Sequence, residues 1–251
     1  MQMPATQWIV LALGIGLAVL TLTRIPAAWR GHNVNMLLAH AMITVVVLLS
    51  VSPIYHSVDS VMGGVNLANL LSHLCFPLIF LFGGLQIARS VDRPDIARKV
   101  AGAPGLIVAG VSLAAIIGTF AAIGVEPTSM GLNSERGNPW LILYKVSSYV
   151  YCTWVAAWVT PPLLRDATLH RQQKAHSYAQ RALGVSMLAV SLLPLVHLAE
   201  FFAPDTARAA ADVLVYSAIV LAASSPATLF FVRMGRNFKP GRSSRSGRPT
   251  R

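Results

Sequence analysis

The sequence predicts an all-α polytopic membrane protein: a bundle of seven transmembrane helices, N-terminus outside and C-terminus cytoplasmic. Three observations lead there. The chain is 55% hydrophobic and only 12% charged, about half the charged fraction usual in soluble domains. Its apolar residues gather in seven long segments divided by short polar stretches. Seventeen of its twenty Lys and Arg residues fall on the side of those segments that carries the C-terminus. A formal net charge of +11 would also suit a nucleic-acid binder. The placement of the charges excludes that reading: they spread over every loop of one side, as the positive-inside rule requires, and no nucleic-acid-binding motif accompanies them.

The segments follow in order. No basic stretch precedes segment 8–23, while Arg24 and Arg30 follow it. A cleaved signal peptide has the reverse order, so this is a retained helix, and its shortness places its start near Pro4 or Ala5. Segment 35–55 is rich in β-branched residues at its centre. A polar loop, 56–65, holds Asp59 and the pair Gly63 and Gly64. Segment 66–88 carries Pro77, and the loop 89–99 carries four basic residues and two Asp. Small residues dominate 104–124, where Gly102, Gly105, Gly110 and Gly118 suit close helix contact. A loop, 125–138, leads to segment 139–161 with Lys145, three Tyr and three Trp. Segment 181–202 carries Pro194, His197 and Glu200; segment 209–232 carries Asp212, Tyr216 and Pro226. Residues 1–232 form the transmembrane domain. Residues 233–251, basic and rich in Ser, Gly and Pro, form a disordered cytoplasmic tail that attracts anionic lipid heads. Cys75 and Cys152 lie inside apolar segments and read as small buried hydrophobes.

Polar groups within the spans carry the functional expectation. Asn66, Asn69 and His73 are spaced i, i+3 and i+7, one face of a helix. In lipid that face turns toward other helices or a wet cavity, because an unpaired amide or imidazole in hydrocarbon costs several kcal/mol. Lys145 with Tyr149, His197 with Glu200, and Asp212 with Tyr216 lie at a similar distance from the outer ends of three further segments. Polar groups from four helices at one level predict an outward-opening polar vestibule. Each also has a plainer reading. Lys145, about 9 Å deep by helical rise, can snorkel to the interface or pair with Glu200 or Asp212. His197 and Glu200 form either a proton-carrying pair or an interfacial pair in headgroup water. His73 with the two Asn lines a polar path or serves as interhelical hydrogen-bond glue. His40 reads as an interface histidine, and Trp154 and Trp158 as aromatic-belt anchors.

No constellation points to an enzyme. The chain lacks His-Glu-x-x-His, a P-loop, Gly-x-Ser-x-Gly and a Rossmann glycine pattern, and the last helix has no lysine for a Schiff base. One cofactor reading remains: His73 and His197, on different helices, as the axial ligands of a b-type haem.

The run from Pro53, Ile54 and Tyr55 to Asp59, then Gly64-Val65-Asn66-Leu67-Ala68 and Leu70-Leu71-Ser72-His73, resembles a block in an uncharacterised actinobacterial family of seven-helix membrane proteins labelled transporters. Leu143-Tyr144-Lys145 with Tyr149 resembles its fifth helix, and Arg181-Ala182-Leu183-Gly184 its sixth. Members continue into a cytosolic domain after helix seven, where this chain has only the basic tail. The resemblance implies a multi-pass protein of the inner (cytoplasmic) membrane and transfers no site residue. The leading expectation is a transporter or channel for a small solute or ion, with Pro77, Pro194 and Pro226 as flexing points. The alternatives are a non-enzymatic sensor or assembly subunit that binds a ligand or partner helix, and a haem-bearing redox protein. The lipid bilayer is the expected environment, with a second copy or another membrane protein as partner.

Overall fold

Apolar segments bounded by Pro, Gly and polar residues become helices, and two short polar stretches between them do as well. The computed structural model describes residues 4–124, 127–135, 138–169 and 174–237. Among the described residues there are nine α-helices, a short 3-10 turn and no strand: α1 (Ala5–Trp29), α2 (Val34–Leu49), α3 (Ser52–Val61), α4 (Leu67–Ser90), α5 (Pro94–Ala101), α6 (Ala103–Ile123), the turn Met130–Glu135, α7 (Pro139–Leu169), α8 (Lys174–Ala199) and α9 (Pro204–Asn237). Among the described residues four helical stretches are long and apolar enough to cross a membrane: α1, α4, α5 with α6, and α8. A fifth counts if α2 and α3 are one bent span. This fits a multi-pass membrane protein.

Segment 35–55 is not one helix. The chain turns by 101° between α2 and α3. Pro53 explains the break: it lacks an N–H for the preceding turn and fits the first turn of a new helix. The stretch 56–65, expected as a loop, is therefore largely α3. Likewise 89–99 is not all loop. Pro94 opens α5, Asp95 sits in its first turn, and Arg98 and Lys99 sit in its last, each charge complementing the helix dipole. Exposed Arg93 grips Asp95 at 2.8 Å and holds its carboxyl down to about 2. The helices also outrun their apolar segments. α1 passes through Pro26, α7 through Pro161 and Pro162, and α9 continues to Asn237, so residues 233–237 of the expected tail are helical. Residues 238–251, Glu126, Arg136 and Arg171 lie outside the described residues.

α7 is the hub. It packs on α4, α6 and α8; α2 packs on α4, α1 on α2, and α9 on α8. Buried Val155, Val159 and Leu163 of α7 meet Phe80 and Ile87 of α4 and Leu193 of α8 in the main core. α4 approaches so closely that a Cβ on Gly84 would stand 2.6 Å from Val155 Cγ1. α7 also closes the end of α5, where helix carbonyls lack partners of their own. The Tyr151 hydroxyl donates to the Val100 carbonyl (2.8 Å), and Trp154 Nε1 donates to the Lys99 carbonyl (3.1 Å). Lys99 Nζ stands 3.4 Å over the Trp158 ring, so both Trp are bound into the α5 contact. The α5–α6 turn needs glycine: a Cβ on Gly105 would lie 2.0 Å from the Val100 carbonyl oxygen. Gly110 and Gly118 have nothing within 4 Å and lie on an exposed face, contrary to the close-contact expectation.

Candidate functional site

Alternating helix directions bring the starts of α4, α7 and α9 and the end of α8 to one end of the bundle. Each carries polar residues in its terminal turns. From α4 come Asn69 and His73, from α7 Tyr144, Lys145 and Tyr149, from α8 and just beyond it His197 and Glu200, and from α9 Arg208 and Asp212. With Gly131, Leu141, Ala211 and Val215 they line a cavity of about 240 Å³.

An ion pair stands in its wall. Lys145 Nζ donates to Glu200 Oε2 at 3.0 Å and to Oε1 at 3.3 Å. His197 Nδ1 lies 2.5 Å from Glu200 Oε1. The Glu200 side chain is 4% exposed and that of Lys145 18%, so the carboxylate is enclosed while the ammonium still reaches the cavity. Removing one partner of such a pair leaves an uncompensated charge, which is why buried pairs come with several hydrogen bonds. The His197 ring stacks on Tyr149, with centroids 5.6 Å apart and 17° between planes.

A neutral string runs alongside. The Ser148 hydroxyl donates to the Tyr144 carbonyl (2.9 Å), and His73 Nδ1 lies 2.7 Å from the same hydroxyl. A hydroxyl has one proton to give, so His73 donates through Nδ1–H and leaves Nε2 as an acceptor. The Tyr144 hydroxyl donates to Asn69 Oδ1 (2.9 Å). α4 and α7 are thus joined by two polar contacts through Asn69 and His73.

Two expected site residues lie elsewhere. Asn66 is not on the α4 face. It precedes the helix in left-handed conformation (φ 63°), so the i, i+3, i+7 spacing does not apply to it. Its side chain instead ties a loop: Nδ2 donates to the Pro127 carbonyl (2.9 Å), while Oδ1 accepts from the Ser129 amide (2.7 Å) and the Tyr55 hydroxyl (3.1 Å). Beside it, Asp59 is fully buried. Asp59 accepts from the Asn66 and Ala68 amides, both at 3.0 Å, and from the Thr128 hydroxyl at 2.6 Å. The acid thereby caps the start of α4 from a distance. Burial alone would raise its pKa; the Thr128 hydroxyl and the two amides outweigh burial and hold it below the usual carboxylate value. Tyr216 is 66% exposed and does not line the cavity, because it falls on the outer face of α9.

Tyr144, Ser148 and Arg208 are site residues that the sequence reading did not single out. Arg208 stands four residues before Asp212, a spacing that signals a shared face. Ser148 follows Lys145 by three, but small hydroxyls are common in helices and carry little signal. Among the described residues no group of three His, Cys, Asp or Glu could hold a metal ion. Nor do the residues fit a haem. His73 and His197 both engage Nδ1, but the space beside them, about 240 Å³, is below the pockets of about 300 Å³ and more that hold drug-sized ligands. Tyr149 also covers one face of the His197 ring.

No protein-family model, curated protein or solved structure matches this chain.

Proposed function

We propose that this chain is a seven-helix protein of the cytoplasmic membrane that moves a small solute or ion, and that the cavity is its outward-facing vestibule. The spans are α1, α2, α4, α6, α7, α8 and α9, with α3 and α5 turned aside at opposite ends. The orientation rests on charge. Arg24, Arg30, Arg89, Arg93, Arg98, Lys99, Arg165, Lys174 and Arg181 lie toward the end opposite the cavity, which makes that end cytoplasmic by the positive-inside rule. The resemblance to the actinobacterial family labelled transporters agrees with this reading.

The observation that carries it is the Lys145–Glu200–His197 cluster, enclosed on one side and open to a polar cavity on the other. Ionisable groups kept within a membrane bundle mark solute and ion pathways. A second reading has its own support. Further along α7 the interior among the described residues is packed by Tyr149, Cys152 and Val155 with Phe80 of α4, the filling expected beneath a sensor's ligand pocket. Flux separates the two. Protein reconstituted in liposomes should move ions or small solutes above empty-vesicle background, and Glu200→Gln or Lys145→Ala should lower the rate at least tenfold. A parent protein that is folded yet moves nothing assigns the cavity to sensing.

A further inference from the structure

The cavity residues divide by whether their charges are already matched. Lys145 and Glu200 satisfy one another. Arg208 and Asp212 do not: both line the cavity, and neither makes a hydrogen bond or ion pair with another described residue. They lie four residues apart on α9, about 6 Å along the axis. The Tyr149 hydroxyl likewise has no hydrogen-bond partner among the described residues, although the residue is only 7% exposed. The wall thus offers one unmatched cation, one unmatched anion and a hydroxyl, in a space of about 240 Å³. Leu141, Ala211 and Val215 make the rest of the lining apolar.

A solute that matched only Arg208 would leave Asp212 facing it with like charge, and a cation would meet Arg208 in the same way. A molecule carrying both charges satisfies both groups and leaves the ion pair intact. Resting on the transport reading above, we propose that the cavity binds a small zwitterion of the amino-acid class, its carboxylate on Arg208 and its ammonium on Asp212. Arg suits the first role because its planar fork takes a carboxylate through two parallel hydrogen bonds. An ammonium and a carboxylate on one carbon can each reach a partner by a hydrogen bond, and Arg208 and Asp212 stand one helical turn apart on the same face of α9. The small volume and apolar patch select a short apolar side chain.

Three probes of one carbon skeleton test this: alanine, propionate and propylamine, titrated calorimetrically into the full-length protein in lipid nanodiscs. Alanine should bind at least tenfold more tightly than either singly charged analogue. Asp212→Asn should reduce alanine to the level of propionate, and Arg208→Gln should abolish both. Arg208→Lys, which keeps the charge without the fork, should recover part of the alanine affinity and shows that loss in the Gln variant is not misfolding. Propionate or propylamine binding as tightly as alanine overturns the proposal, as does absence of binding by all three. Alanine uptake into liposomes is measured in parallel. Alanine that binds but is not moved overturns transport and leaves the zwitterion site standing. Flux of another solute without alanine binding does the reverse.

Discussion

Asp59 and Glu200 are both buried acids at the same end of the bundle, and they are held in opposite ways. Asp59 accepts from two backbone amides and a threonine hydroxyl, all uncharged donors. Glu200 accepts from a lysine ammonium and a histidine ring, both carried on side chains that line a cavity. Burial is shared, so burial is not what marks a site. The partners do: backbone amides and a hydroxyl make a clasp, and a charged side chain with an imidazole at a cavity wall makes a place where an entering solute can be met.

Five substitutions test this contrast. Asp59→Ala should have the largest effect on stability. It strands two buried amides and a hydroxyl, at about 1–3 kcal/mol each, and should lower the denaturation midpoint in detergent far more than any change at the cavity. Its carboxyl sits below the usual value, so its contribution is complete above the unfolded-state pKa and is lost as pH falls through the lowered folded-state pKa. A melting series toward acid pH should show that loss in the parent and not in Asp59→Asn. Glu200→Gln should cost about 2 kcal/mol, less than the about 3–5 kcal/mol of a sealed pair, because Lys145 borders the cavity and is not fully enclosed; its effect is on flux. A stability loss equal to that of Asp59→Ala would erase the contrast. Ser148→Ala removes the acceptor of His73 Nδ1–H and should cost about 1 kcal/mol, read by the same denaturation. Tyr216→Ala, on the outer face, should stay within about 0.5 kcal/mol.

The parts of the site that the sequence revealed are those set by local helical spacing. His197 and Glu200 are three residues apart, and any helix brings such neighbours together. Lys145 could be narrowed to Glu200 or Asp212 because an enclosed cation needs an anion at its own depth and few were on offer; the structure pairs it with Glu200. Asn66 was misjudged for the same reason in reverse. Face arithmetic presumes a helix, and a left-handed residue at its threshold ends that presumption. α3 and α5 stayed hidden because their sequences are polar and short. Their helicity rests on proline starts and, for α5, on charge placement and on side chains of α7 more than fifty residues away in sequence. The link between Asp59 and Thr128, across a separation of 69 residues, leaves no local trace at all.

The two polar contacts between α4 and α7 also impose a schedule on biosynthesis. Asn69 and His73 each find their partner 75 residues later in the chain. At about 5–20 residues per second, α4 leaves the ribosome roughly 4–15 s before Tyr144 and Ser148 exist. Through that interval a carboxamide and an imidazole face the insertion machinery or the lipid with nothing to bond. An amide or imidazole without a partner in an apolar surrounding costs several kcal/mol, so α4 gains its full stability only once α7 has been made.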